Sequence, residues 1–371
     1  MQYSASQVDF KFDRISMTLR RGGAVMIRDG KGQAALVRAA EFLDIAPERL
    51  EDIAISSETL CLTKRHMTSF GRTVPDRVSC FTVPAETFDD GQITALILGD
   101  GTLLPANANI LGEHADSLPD MACRLLRDVR LIPAALLSRV SARNQSQQAR
   151  LAEGFHIPVL DLHELTKLTE DKEPEMSISI TATLPLAAAA DAKIVMFKQP
   201  ANREEHFAIL VGNISPQKPP LVRLHSQCVT GDILGSLKCD CGLQLQAALK
   251  QMKDAGGGIL LYLAQEGRDI GLLNKIRAYA LQDAGLDTVD ANHRLGFEAD
   301  ERVFSPAAAM LKALGVTTIK LMTNNPDKLG QLGKYGITIK QRISLSLPAN
   351  PHNHDYLETK KVRTGHLIES E

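Results

Sequence analysis

The stretch Leu221-Val222-Arg223-Leu224-His225-Ser226-Gln227-Cys228-Val229-Thr230-Gly231-Asp232, joined after five residues by Lys238-Cys239-Asp240-Cys241-Gly242, decides how the second half of the chain is read. Leu221 to Leu224 reads as a buried strand that runs into the polar cluster His225-Ser226-Gln227. Downstream, Leu243 to Met252 has helical spacing and is stopped by Gly256-Gly257-Gly258. Ile259 to Leu263 is then a second strand, entering Gln265-Glu266-Gly267-Arg268. Leu272, Leu273, Ile276, Ala280 and Leu281 recur as the apolar positions of a helix from about Leu272 to Asp283, with Gly285 as its cap. Thr318 to Met322 is a third strand ending at Thr323, and Asn324-Asn325-Pro326 supplies the start of a helix over Asp327 to Leu332. Such alternation predicts an α/β class. In open α/β sheets ligands collect beyond the carboxyl ends of strands, where these polar clusters fall.

Upstream, strand-like runs (Ala24 to Ile27, Ile93 to Leu98, Ile157 to Leu160) alternate with amphipathic helical ones (Ala34 to Leu43, Met121 to Leu126). The class is again α/β, with α+β open for this half. The polar stretch Thr166 to Glu175 reads as a linker, dividing the chain into domains 1–170 and 177–371. A chain of 371 residues, 44% hydrophobic, has material for two cores. Its net charge of -2 supplies no global field to attract nucleic acid or an anionic membrane, so neither is an expected partner. No segment shows a targeting leader or a membrane span, which makes a soluble cytoplasmic protein the expectation.

Three of the six cysteines, Cys228, Cys239 and Cys241, crowd into one short stretch; Cys61, Cys80 and Cys123 are scattered and read as core residues. An i, i+2 pair on extended chain points both sulfurs the same way, so Cys239 and Cys241 can share one ion with Cys228. Three thiolates leave a zinc ion one position for water, the arrangement of a hydrolytic site. His225 as a fourth ligand would make the site structural, and reduced core cysteines without metal are the plain alternative. Arg223, Lys238, Arg268, Lys275, Arg277, Arg302 and Lys328 are candidate donors to an anion. Glu266-Gly267-Arg268, at a strand exit, combines an acceptor, a flexible turn and a bidentate cation. By itself Asp300-Glu301-Arg302 reads as a charged surface turn.

Arg223 to Asp232, Lys238 to Gly242, Gln265 to Arg268, Asn274 to Gln282, Ala291 to His293, Asp300 to Arg302 and Leu321 to Pro326 occur in one order, and together they closely resemble the GTP cyclohydrolase II family from about Leu221 to Leu367. The resemblance implies a C-terminal domain with a mixed sheet flanked by helices. It implies hydrolysis of GTP to 2,5-diamino-6-(5-phosphoribosylamino)pyrimidin-4-one, formate and diphosphate, the first step of riboflavin biosynthesis. It further implies one Zn2+ on Cys228, Cys239 and Cys241, and GTP surrounded by Arg223, Leu224, His225, Ser226, Gln227, Gln244, Glu266, Gly267, Arg268, Thr288, Thr323 and Lys328. Mg2+ would accompany the triphosphate, and the chain would be a homodimer. Tyr279 would lie near the base, Arg302 would attack the α-phosphorus and Asp300 would accept its proton. A guanidinium with a pKa above about 12 attacks poorly while protonated, so the carboxylate is a chemical necessity for that role. Gln227 departs from the glutamate frequent in the family, and the alanine-rich Thr183 to Phe197 departs from the usual start of the domain.

Phe12 to Ile27 and Ala149 to Leu165 faintly resemble 3,4-dihydroxy-2-butanone 4-phosphate synthase. That family carries a magnesium-binding acidic cluster where this chain reads Arg28-Asp29-Gly30-Lys31-Gly32-Gln33-Ala34-Ala35, with Asp29 as its only acid. The expectation is a degenerate, non-catalytic domain. A bifunctional enzyme and a non-catalytic GTP-binding regulatory paralogue are the alternatives.

Overall fold

The computed structural model describes residues 5–43, 45, 53, 55–99, 101, 104–142, 144–169, 173–199, 204–215, 218–325, 327–345 and 363; Pro326 and nearly all of the family match beyond 345 lie outside them. In chain order the first half holds helix α1 (Ala5–Arg20), strands β1 (Val25–Arg28), β2 (Ala34–Ala39) and β3 (Ile55–Thr63), α2 (Lys64–Ser69), β4 (Cys80–Pro84), α3 (Asp90–Leu98), β5 (Leu111–Glu113), α4 (Leu118–Asp128), β6 (Ala134–Val140), α5 (Gln145–Gly154), β7 (Val159–Asp161) and α6 (Leu162–Thr169). The second half holds β8 (Ser177–Thr183), β9 (Lys193–Lys198), β10 (Phe207–Gly212), β11 (Leu221–Ser226), α7 (Cys241–Asp254), β12 (Gly257–Leu263), α8 (Leu272–Asp283), α9 (Thr288–Arg294), α10 (Ser305–Ala313), β13 (Thr318–Met322), α11 (Asp327–Lys334) and β14 (Thr338–Ile343). No described helix is long and apolar enough to cross a membrane.

These elements pack as two compact units, Met1–Glu170 with Leu273–Glu301, and Asp171–Leu272 with Arg302–Glu371. The second unit is thus interrupted in sequence, which a division at 170 and 177 does not anticipate. In the first unit a seven-stranded sheet runs β5-β4-β3-β6-β2-β1-β7, antiparallel throughout except where β1 pairs with β7. α4 starts at Ser117, whose hydroxyl accepts the N–H of Asp120, and lays Met121, Leu125 and Leu126 on Val37, Cys61 and Leu137 of the sheet. Each such buried side chain contributes roughly 1.5–3 kcal/mol of transfer free energy. Cys61, Cys80 and Cys123 are buried and free in this core.

Two elements of this half differ from the pattern reading. Ala34 to Leu43, expected as a helix, is strand β2 followed by a 3-10 turn. Ala34 to Val37 are all buried, so small and apolar residues on both faces of a central strand mimic helical periodicity. Ile93 to Leu98, expected as a strand, closes helix α3, which begins with a capping box between Asp89 and Gln92 and ends at Gly99. The supposed linker from Thr166 begins inside α6, which runs to Thr169.

In the second unit the order is β14-β13-β11-β12-β10-β9-β8. The first four strands are parallel and the last three run antiparallel, giving the mixed sheet the resemblance implies. Val222 and Leu224 of β11 face Phe304, Ala308 and Leu311 at α10, whereas Leu221 faces Ala248 and Met252 of α7, so helices cover both faces.

His66 of α2 is fully buried against Gly296, where a Cβ would stand 1.9 Å from the His66 Cε1 and where φ is +84°. Burial, reinforced by Arg294, lowers the His66 pKa from 6.5 to about 3. The unfolded chain takes up this proton near pH 6.5 while the folded unit refuses it until about 3, so stability is lost as pH falls through that window. By pH 5 the loss from this one group is about 2 kcal/mol. Denaturant unfolding at pH 7 and pH 5 should show that His66→Gln, although less stable at pH 7, loses less on acidification than the parent chain.

Candidate active site

The carboxyl ends of β11 and β12 lie level because Ser226 pairs with Leu263, and β13, whose Leu321 pairs with Val222, ends on the same side of the sheet three residues earlier. His225-Ser226-Gln227, Glu266-Gly267-Arg268 and Thr323-Asn324-Asn325 leave the sheet there, where ligands collect in open parallel sheets. After Ser226 the chain forms a π-helical turn over Val229–Ile233, capped by the Cys228 sulfur, which accepts the N–H of Gly231 at 3.3 Å.

The sulfurs of Cys228, Cys239 and Cys241 lie within 4.8 Å of one another, and no other described residue of ligand type joins them at that range. Cys228 Sγ and Cys239 Sγ are 3.6 Å apart, too far for a disulfide. Two sulfurs held 2.3 Å from one tetrahedral ion would be about 3.8 Å apart, so the spacing suits a shared cation. Gly231 forms the floor of this cradle: a Cβ there would lie 2.7 Å from Cys239 Sγ and 3.1 Å from Cys228 Sγ. The hydrogen bond to Cys228 and burial push the Cys239 thiol up, and both partner sulfurs and burial push Cys241 up. Three crowded thiols resist ionising together, and a cation among them removes that penalty.

His225 does not turn its Nε2 toward the sulfurs. That nitrogen lies 3.0 Å from both carboxylate oxygens of Asp232 and donates to them. Burial lowers the His225 pKa, with Asp232 opposing the shift, and the ring stacks on Tyr262. Asp232 Oδ2 also accepts the Tyr262 hydroxyl at 2.9 Å and the Cys228 N–H at 3.1 Å, so one buried carboxylate ties strand, turn and cysteine together. Sequence patterns missed Asp232 and Tyr262 as supports; only the spacing of Asp232, one helical turn after Cys228, hinted at the first. Glu266 serves the same loop. Its Oε2 accepts the Val229 N–H at 2.6 Å and its Oε1 the Gly267 N–H at 3.0 Å. Arg268 follows in the left-handed region, with φ of +60°.

Arg223 is buried, donating to the Met322 carbonyl at 3.2 Å and to the Gln244 side-chain oxygen, while Gln244 donates to Asp240 at 2.5 Å. Its Nε is buried without a hydrogen-bond partner. Burial lowers its pKa to about 10, which leaves it cationic at neutral pH. Lys328, also buried, donates to the Leu224 carbonyl at 3.1 Å and lies 5.2 Å from the Phe304 ring centre. Arg302 lies 5.7 Å from the same ring and donates to the Ser226 hydroxyl at 3.3 Å. Phe304 was not anticipated from sequence, because a buried aromatic beside charges reads as core. The Gln227 N–H donates to the Leu263 carbonyl, and Thr323 Oγ1 accepts the Asn325 N–H at 3.0 Å. Tyr279 on α8, Thr288 at the start of α9 and Asp300 belong to the first unit.

The family model for GTP cyclohydrolase II matches residues 177–344. A GTP cyclohydrolase-2 from Azospirillum brasilense is 39% identical over 379 aligned positions, covering 96% of this chain and 93% of the relative. The chain belongs to the GTP cyclohydrolase II family. A second relative in the family, GTP cyclohydrolase-2 from Enterobacter sp. (strain 638), is 56% identical over 178 positions, 48% of this chain and 91% of its own length. Among solved structures, a two-domain 3,4-dihydroxy-2-butanone 4-phosphate synthase from A. baumannii aligns over 91% of this chain and 99% of its own at 15% identity. Its TM-score is 0.34, a likeness too slight to carry an argument.

Gly231→Ala should weaken metal binding by the three cysteines, since the added methyl falls among the sulfurs. Metal analysis of the purified variant is expected to give well under half the parent's content, with the circular dichroism spectrum unchanged.

Proposed function

We propose that the chain is a GTP cyclohydrolase II that converts GTP to 2,5-diamino-6-(5-phosphoribosylamino)pyrimidin-4-one, formate and diphosphate. One observation carries the proposal: a cradle of three cysteines opens from the turn after β11, and two cations, Arg302 and Lys328, stand by the Phe304 ring beside the end of that strand. Cys228, Cys239 and Cys241 would hold one zinc ion. Zinc with three protein ligands supplies an activated water at neutral pH, the pKa of such a water being about 7. Asp232 holds the Cys228 backbone and the His225 ring at the edge of the cradle. Arg223, Arg268, Arg302 and Lys328 would meet the phosphates, with Leu224, His225, Ser226, Gln227, Gln244, Glu266, Gly267, Thr288 and Thr323 around the nucleoside.

Arg302 would act at the α-phosphorus and Asp300 would take its proton, with Tyr279 near the base. Arg302 already has its guanidinium on Ser226 at the strand end, which suits either attack or charge stabilisation at phosphorus. Magnesium would arrive with the triphosphate. A homodimer in the cytoplasm completes the proposal.

Residues 1–170 would be non-catalytic. Arg28 pairs bidentately with Asp161 at 2.6 and 2.9 Å. Asp29 Oδ1 accepts the N–H groups of Lys31 and Gln33, closing the β1–β2 turn on itself. The one acid in the place of the synthase's acidic cluster is therefore engaged in turn formation.

Incubated with GTP and magnesium, the zinc-loaded chain should release formate and diphosphate in equal amounts; binding without formate would leave a regulatory GTP-binding protein. Arg302→Ala should lower kcat by at least about 100-fold with zinc retained, and Asp300→Ala by less. Near-normal turnover in Arg302→Ala would return Asp300-Glu301-Arg302 to surface. With ribulose 5-phosphate and magnesium the full chain should give no dihydroxybutanone phosphate, and its appearance at enzymatic rates would establish a second activity.

A further inference from the structure

The first unit grips the chain immediately before the residues proposed to act at phosphorus. Thr63, at the end of β3, donates its hydroxyl to the Gly296 carbonyl at 2.8 Å. Two residues on, Arg65 meets the Glu298 carboxylate through Nε at 2.7 Å and through a terminal nitrogen at 2.5 Å. Next along the chain, the His66 ring occupies the space where any side chain at position 296 would have to stand. The turn beyond Glu298 is closed by its own bonds: the Glu298 N–H donates to Glu301 Oε1 at 2.8 Å, and Asn292 donates to the carbonyls of Glu298 and Ala299 at 3.2 and 3.5 Å. Asp300 sits inside this closed turn and Arg302 follows it by one residue. Wherever Gly296 and Glu298 are held, Asp300 goes with them.

We propose that Thr63 and Arg65 are positioning residues for the reaction, setting the turn that carries Asp300 and precedes Arg302, so that residues 1–170 contribute to catalysis without binding substrate. This rests on the roles proposed above for Asp300 and Arg302. Relatives matched over 48% of this chain and 91% of their own length have no counterpart for most of its other half, so the dependence belongs to the longer chains. Misplacing a catalytic group by about 1 Å can cost 100-fold in rate, so a grip of this kind is read in turnover before stability.

The test uses the full chain, zinc-loaded, with kcat, KM for GTP and metal content measured on each variant. Arg65→Glu and Glu298→Arg should each lower kcat about tenfold, with KM within twofold and zinc unchanged, and the double variant should recover at least half of the parent kcat. Thr63→Val, nearly the same shape, should lower kcat similarly while Thr63→Ser keeps it. Turnover within twofold of the parent in both Arg65→Glu and Thr63→Val, or a fall that only follows metal content, overturns the proposal. Arg302→Ala is measured alongside. If it stays active, the role of Arg302 fails; if it is inactive while Arg65→Glu and Thr63→Val are fully active, the positioning inference alone fails.

Discussion

The parallel pairing of Leu221–Ser226 with Gly257–Leu263 on one side and Thr318–Met322 on the other is the constraint on which the candidate site depends. It brings three turns distant in sequence to one sheet end. Only then can Glu266 reach the Val229 N–H, Arg223 the Met322 carbonyl and Lys328 the Leu224 carbonyl. A slip of one residue would turn Arg223 and His225 to the face that carries Val222 and Leu224, and would set two polar side chains against Phe304 and Ala308. Burying them there without partners would cost several kcal/mol, so the apolar alternation of β11 enforces the register that assembles the site.

Acids in this site do different work from what their charge suggests. Three thiols, two buried cations and several carboxylates share a small volume, yet Asp232 and Glu266 spend their oxygens on backbone N–H groups, a tyrosine hydroxyl and an imidazole. A carboxylate so engaged fixes geometry. The cysteine turn is thereby braced from β11 through His225, from β12 through Tyr262 and from the following loop through Glu266.

Much of the second unit was legible because its punctuation is local. Glycines end α7, polar clusters end β11, β12 and β13, and the strand Thr318–Met322 has the bounds its composition predicts. The three-cysteine cradle was legible from spacing, since thiolate chemistry leaves few readings of such a cluster. Asp232, Tyr262 and Phe304 were not, because their roles arise from contacts across strands that no local pattern encodes. In the first unit Ala34 to Ala39 deceived for a related reason: a strand buried on both faces has no alternation to display.

Helix α8 shows how periodicity can find an element and still misplace its face. Of the apolar positions that identify the helix, Leu272, Leu273 and Ile276 are 41%, 60% and 45% exposed and Leu281 is buried, whereas the polar Asn274 and Lys275 are buried as well. The inward face is chosen by partners. Asn274 donates to the Arg130 carbonyl at 3.0 Å, and Arg277 meets Glu41 at 2.6 Å, with the Glu41 side chain only 1% exposed and already accepting the Ile132 N–H. Leaving that carboxylate buried without its cation would cost roughly 3–5 kcal/mol, more than burying Leu272 and Leu273 would return when protein already covers part of each. A buried charge in the first half of the sequence thus commits a helix from the second half to the first unit, and the turn bearing Asp300 follows from that commitment.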